Sequence, residues 1–525
     1  MNPLFFILLF SLIISGSNST TNSTVPVDCV PDSYILGIKT EEVCSQRGCI
    51  YNPHVPSGPF CTFPQNYGYK LASKTRTKSI RQRLQLFDCS FHLPIRIHDS
   101  NQITDNSERY EVPLKLDLPT KSSNKHLYDV NFIDSPIFGF EIIRVSSQRV
   151  ILSTRNMPGL IFSNQFIQLP LSLNEKVDMY GLGENEQASL RHDMSWKFWN
   201  GWARDSTPNG FGNLYGVFPL MTALEPEGTA STIVFLNSNA QEWESLAQYA
   251  STFGKYEIPP YWSLGHHLCR YGYKSTEAIR QAYRRTLKYN IPLDVQWADI
   301  DYMDRFMDFT IDPVHFKDLP DFVKEIHGDG KHFVPILDPG IDFESKGMDG
   351  GTYVPYELGQ KMNVWVKRSD GSPMVGKVWP YGKVHFPDFF KRNTTIWWEL
   401  CVKDFHSKME IDGIWIDMNE PSNFADGDVD KGCAANALNN PPYLPRNLQG
   451  SKIAAKTICS DHTQVLDEKV VPHYDLHSLY GLSEARATIR ALRLATKTRG
   501  FVLSRSTYLG SGRYTAKWLG DNKSL

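Results

Sequence analysis

The sequence predicts a multidomain chain: a small disulfide-bonded module, a β-sandwich, and then an incomplete (β/α)8 TIM barrel with about six of eight strands. Three observations carry this. Four of the nine cysteines, Cys29, Cys44, Cys49 and Cys61, crowd near the amino terminus. From about Tyr67 to Ile258, short apolar runs separated by Ser, Asn, Pro and Gly show no strong helical period. From Pro259 onward, short strands alternate with helices, and charged residues stand at the strand ends. Length agrees, since 525 residues at about 150 per domain is roughly three or four domains.

Composition removes several classes of function. Lys plus Arg is 55 and Asp plus Glu is 57, a net charge of −2, so there is no basic excess for nucleic acid. Hydrophobic residues at 41% and aromatics at 12% exclude a disordered chain and a multi-span membrane protein. Leu4 to Ile14 is apolar but shorter than the roughly 20 residues of a spanning helix. Residues 1–17 therefore read as a cleaved signal peptide, with Ser15, Gly16 and Ser17 at the cleavage site; an uncleaved N-terminal anchor is the alternative. Asn18, Asn22 and Asn393 head acceptor sequons, which matter if the chain enters the secretory pathway. Its expected location is that pathway, secreted or at the extracellular face of the plasma membrane.

The clustered cysteines imply a local disulfide knot, for which spacing alone allows three connectivities. Zinc is disfavoured because there are no CxxC pairs and no nearby His pair. Cys89, Cys269 and Cys401 read as buried thiols. The next region, 69–258, reads as antiparallel β structure, with runs at Ile142–Val145, Val150–Leu152 and Thr232–Leu236.

In 259–525 the expected order is strand Leu264–Leu268, a helix capped by Ser275, and a strand through Leu293, Val295 and Trp297. Then come a helix around Phe322–Ile326, strand His332–Leu337, a helix around Phe389–Phe405, strand Ile414–Met418, a helix from Ser483, strand Phe501–Leu503 and a segment near Trp518 and Leu519. Insertions at 340–388 and 421–482 rise above one face, and Cys433 with Cys459 is expected to close the second. Asp299, Asp338, Asp417, Arg505 and Asp521 each follow a different strand, where a barrel gathers its active-site groups. A doubly wound sheet would want a glycine-rich phosphate turn, which "CRYGYKS" is not.

A buried strand that delivers Asp417, Asn419 and Glu420 at its end needs a reason for its ionised groups. A turn-capping Asp is the ordinary one, but Asp521, Arg505 and Asp299 in similar positions, among Trp and Tyr, favour chemistry. Glycoside hydrolysis requires this set: one carboxylate for the anomeric carbon and one acid for the leaving oxygen. Asp299, Asp301 and Asp304 do not make a calcium loop, since positions 6 and 12 counted from Asp299 hold Asp304 and Thr310. No G-x-S-x-G elbow is present. No cofactor and no obligatory metal are expected.

Two resemblances sharpen this reading. "DCVPD", "EEVCSQRGCIYNP" and "GPFCTFPQNYGY" resemble a trefoil (P-type) domain over 28–68. The resemblance implies Cys29 with Cys49 and Cys44 with Cys61, because the family's first and fifth cysteines, partners of each other, are both missing. "GIWIDMNEPSNF" and "SRSTYLGSGRYTAKWLGDN" resemble the nucleophile and acid/base segments of glycoside hydrolase family 31, and "WSLGHHLCRYGYKS", "VQWADIDYMDRFMDFT", "YGLGEN", "ARD" and "NLYG" also match. With the trefoil, the resemblance narrows to the intestinal maltase-glucoamylase and sucrase-isomaltase group. It implies a retaining exo-acting α-glucosidase that removes terminal α-1,4-linked glucose from maltose, maltooligosaccharides and starch. Asp417 is then the nucleophile and Asp521 the acid/base. Asp299, Arg505 and Asp205 hold glucose hydroxyls, and Trp415, Met418, Trp379, Ile300, Ile336 and Trp518 line the pocket, with barrel core as the other reading for Ile300 and Ile336.

The chain departs from that pattern in two ways. Lys517 stands where the family has His, and about six strands are countable where closure takes eight. The expectation is a truncated relative whose barrel leaves this chain alone inactive. The alternatives are a catalytically inactive relative serving as a carbohydrate-binding or interaction protein, and a non-functional product.

Overall fold

The computed structural model describes residues 5–8, 12–14, 29, 40–54, 60–64, 92–95, 112–114, 128–162, 167–173, 177–187, 189–192, 199–208, 213–239, 241–243, 256–347, 350–441, 444 and 452–522. Asn18, Asn22 and Cys89 lie outside them. The chain forms two compact units. One comprises Met1–Trp202, Pro208–Gly254 and Pro441–Ser451; the other comprises Ala203–Thr207, Lys255–Asn440 and Lys452–Leu525. The second unit thus takes in the short strap Ala203–Thr207.

The described residues of the first unit are mainly β structure. Tyr128–Ile133, Gly139–Arg144 and Arg149–Ser153 form an antiparallel sheet, and Asn213–Leu224 pairs antiparallel with both Asp178–Asn185 and Ala230–Phe235. Phe5–Leu8, within the expected leader, runs parallel to Ala230–Phe235. Arg144 donates from Nη2 to Glu225 Oε1 at 2.8 Å, and this guanidinium, with Thr229 and Ser231, outweighs burial and holds the Glu225 carboxyl down at about 2. Disulfides join Cys29 to Cys49 and Cys44 to Cys61 around the helix Thr40–Gln46. They fit a trefoil domain.

The second unit is built on a six-stranded parallel sheet: β1 (His267–Leu268), β2 (Val295–Ala298), β3 (His332–Leu337), β4 (Gly413–Ile416), β5 (Phe501–Ser504) and β6 (Ala516–Lys517), in that order. The connecting helices are α1 (Thr276–Lys288), α2 (Leu319–Gly328), α3 (Val354–Met362), α4 (Arg392–Lys408) and α5 (Tyr480–Thr496). Ser275 caps α1, its side chain accepting from the Ala278 N–H. Strand β2 is buried throughout rather than on alternate residues, as a parallel sheet covered on both faces requires. Strand β1 is shorter than expected because Tyr261–Leu264 coils into a 3-10 turn. Helix α5 starts three residues before Ser483, whose hydroxyl bonds the Tyr480 carbonyl instead of capping. Cys433 and Cys459 form a disulfide in the second insertion, while Cys269 and Cys401 are free thiols. Asn393 is exposed at the start of α4. Among the described residues no helix is long and apolar enough to cross a membrane.

Candidate active site

The parallel register places the charged residues. The Asp417 N–H donates to Leu337 O at 3.2 Å, the Arg505 N–H to Ile416 O at 3.0 Å, and the Trp518 N–H to Ser504 O at 2.9 Å. Each strand is thereby carried one step past its end by its neighbour, so Asp338, Asp417, Arg505 and Trp518 follow β3, β4, β5 and β6 side by side. Asp299, at the end of β2, accepts the Ile300 N–H on Oδ1 at 2.7 Å. Gly413 is required where β4 begins, because a Cβ there would sit 2.8 Å from the Phe501 carbonyl oxygen.

Strand β4 ends at Ile416, earlier than the expected Met418, because Met418 turns out with φ 56°. Asn419 locks that turn to β5, donating to Ser504 Oγ at 3.0 Å and accepting the Ser506 N–H at 2.8 Å. Asp417 and Glu420 are thereby held on either side of one guanidinium. Arg505 grips Glu420 through Nε at 3.0 Å and Nη2 at 2.7 Å, and approaches Asp417 through Nη1 at 3.3 Å. Asp417 Oδ1 is buried and takes no hydrogen bond among the described residues.

Asp205 enters on the strap Ala203–Thr207. Its carboxylate lies 3.7 Å from Arg505 Nη2, accepts from Ser422 Oγ at 2.9 Å and pairs with Lys456 Nζ at 3.0 Å. Burial pushes Asp205 up, but Arg505 and Lys456 outweigh it and hold it below the ordinary range. Burial pushes Asp417 up to about 7; Arg505 pulls it back, while Glu420, Asp521 and Asp299 push it further up. Asp299 rises to about 6, again by burial first, with Asp301 and Asp521 adding to it. Asp308 and Asp338 are both buried, and both carboxyls are raised by burial. Asp308 accepts the Asp338 N–H at 2.7 Å.

The apolar wall is a tryptophan cluster. Trp415 and Trp518 stack at 4.3 Å, and Trp518 also stacks on Trp297 at 5.9 Å. Ile300, Ile336 and Met418 are buried in the same core. Trp379 stands apart, 43% exposed, edge-on to Phe424 at 5.0 Å. Asp521 is exposed, with φ 63°, just after the Gly520 over which the Trp518 ring folds. Lys517 Nζ donates to the Arg505 carbonyl.

Sequence reasoning named Asp417, Asp299, Arg505 and Asp205 but gave no role to Glu420, Ser422 or Lys456. Glu420 had a signal, being a second carboxylate at one buried strand end. Ser422 and Lys456 had none, because their partner Asp205 is more than 200 positions away.

The model for the glycosyl hydrolases family 31 TIM-barrel domain matches residues 256–525. Lysosomal alpha-glucosidase of Mus musculus is 38% identical over 555 residues, covering 95% of this chain and 56% of its own length. Intestinal sucrase-isomaltase of Homo sapiens is 36% identical over 571 residues, covering 94% of this chain and 31% of its own. The chain thus spans about half the length of the lysosomal relatives it matches. A glucosidase II alpha subunit structure shares the fold with a TM-score of 0.61 at 23% identity, over 78% of this chain and 50% of that one. With the family model covering the whole parallel sheet and both halves of the charged cluster at its strand ends, the chain belongs to glycosyl hydrolases family 31.

Proposed function

We propose that the second unit binds a terminal α-linked glucose and acts as a retaining exo-α-glucosidase on maltose, maltooligosaccharides and starch. One observation carries this reading. Asp417 has one oxygen facing Arg505 at 3.3 Å and the other buried with no partner among the described residues, the condition of a carboxylate waiting for an electrophilic carbon. In the proposed reaction Asp417 attacks the anomeric carbon while Asp521 protonates the leaving oxygen, giving a β-glycosyl-enzyme. Water activated by Asp521 then displaces Asp417. Asp205, Asp299 and Arg505 accept and donate to the sugar hydroxyls. Trp415 and Trp518 offer indole faces to its C–H surface, Met418, Ile300 and Ile336 shape the pocket floor, and Trp379 stands at its rim.

The three disulfides support passage through an oxidising compartment, hence the secretory pathway, by way of a cleaved leader or an N-terminal anchor. A sugar-binding protein without turnover is the second reading. It is favoured by the exposure of Asp521. Glucose release from maltose by the purified chain, with D417N as control, tests the proposal. Release that D417N abolishes supports hydrolysis. Binding of a glucose-like inhibitor without release selects the second reading, and neither binding nor release sinks both.

A further inference from the structure

The strap Ala203–Thr207 has no regular structure of its own, yet it carries Asp205. From one side it is held by Lys456, whose Nζ reaches the Asp205 carboxylate at 3.0 Å and the Asp205 carbonyl at 3.3 Å. From the other side it is held by a buried chain of hydrogen bonds. Gln464 Oε1 lies 2.7 Å from His473 Nδ1, His473 Nε2 lies 2.9 Å from His477 Nδ1, and His477 Nε2 lies 2.6 Å from the Ala203 carbonyl oxygen. All three side chains are fully buried.

Chemistry sets the direction of that chain. A carbonyl oxygen only accepts, so His477 Nε2 carries the proton. In a neutral ring its Nδ1 then accepts, from a proton on His473 Nε2. His473 Nδ1 must in turn accept; the Gln464 oxygen faces it, so a neutral pair requires the amide turned end for end, its NH2 group donating there. Burial holds both imidazoles below the ordinary histidine range, so neutral rings are the stable state. Every ring nitrogen is then engaged and none remains for proton transfer to a substrate. The pair is a spacer of fixed length, running from the core of the second insertion to the strap.

We propose that His473 and His477 are positioning residues: by fixing the Ala203 carbonyl they set where the Asp205 carboxylate meets a glucosyl hydroxyl. This rests on the α-glucosidase reading for the sugar, but not for the strap itself. Two measurements on the full chain separate those parts. In hydrogen exchange, H477A is expected to speed exchange of the amides at Asp205 to Thr207, whereas H477Q, whose amide can still donate to Ala203, restores protection. In calorimetry with 1-deoxynojirimycin, H477A is expected to weaken binding about tenfold, the worth of one hydrogen bond to a charged group. H477Q should recover most of that loss. The double variant H477A/D205N should bind no more weakly than D205N alone, because the histidine acts through that carboxylate.

If maltose is turned over, H477A should raise KM more than it lowers kcat. Additive losses in H477A and D205N overturn the proposal, as does unchanged strap exchange. If the wild-type chain fails to bind the imino sugar, the functional reading falls and the sugar half of the proposal with it, while faster strap exchange in H477A still supports the pinning. Should H477A not fold, H473N, which keeps a polar group but shortens the chain of bonds, is expected to give the same local exchange, and unchanged exchange there overturns the pinning.

Discussion

Replacing Asp417 by Asn should stabilise the second unit in a pH-dependent way and, where the chain releases glucose, abolish that release. Asp417 is 6% exposed, and burial moves its carboxyl from 3.8 to about 7. A carboxyl raised on folding prefers its protonated form in the native state. Its contribution to stability is therefore fully present below about pH 4 and is lost as pH rises through about 7. The ionised form at pH 8 is worth about 4 kcal/mol of destabilisation at most. D417N removes that charge without stranding its neighbour, because Arg505 keeps both bonds to Glu420. Taking half the ceiling, because the site relaxes around a buried charge, leaves about 2 kcal/mol, or roughly 4–8 °C in Tm for a unit of this size. Thermal unfolding followed by tryptophan fluorescence at pH 4 and pH 8 measures it. The reasoning is refuted if D417N melts at or below the wild type at pH 8, or if the difference is the same at both pH values.

Three further outcomes follow from the same geometry. R505A leaves Glu420 and Asp417 buried without the guanidinium between them and should lower stability by about 3–5 kcal/mol, whereas R505K keeps the charge but not the fork and should fall between, as read by denaturant unfolding. Where the chain turns over maltose, kcat/KM should rise with pH between about 6 and 7 as Asp299 and Asp417 ionise, and D299N should remove the lower part of that limb. C433S opens a bridge between residues 26 apart in sequence and should cost about 3.5 kcal/mol by the loop-closure relation, seen as a lower Tm without reductant.

How far the sequence reveals this arrangement depends on the range of the interactions. Gly413 to Ile416 reads as a buried strand because an unbroken apolar run is what a doubly covered parallel strand needs, and His332–Leu337 is found where its run places it. Ser275 reveals a helix start because its cap is three residues away. Helix α5 misleads because its first turn lies in the core, with Tyr480 fully buried, so tertiary packing and not a cap sets its start. Asp417 and Arg505 are legible as strand-end charges, but their alignment depends on a register that only pairing defines. Asp205 is legible through the "ARD" resemblance alone. Its partners Ser422 and Lys456, and the histidines behind the strap, belong to an insertion whose apolar pattern says nothing about what it touches.

The electrostatics of the cluster turn on a shortage of cations. Arg505 is buried among Glu420, Asp417 and Asp205, and Lys456, which also pairs with Asp205, is 46% exposed at its side chain. Two hydrogen bonds commit the guanidinium to Glu420, which leaves only its Nη1 edge for Asp417. Had Asp417 instead taken the fork, its carboxylate would be the better neutralised of the two and so the weaker nucleophile, with both oxygens occupied. By filling the fork, Glu420 keeps Asp417 poorly compensated, and its burial and raised pKa are the thermodynamic signature of that choice. A positive charge developing at a bound sugar's anomeric carbon would supply the compensation that the protein withholds. In the proposed reaction, destabilisation of the free carboxylate and stabilisation of the transition state would be two faces of one arrangement.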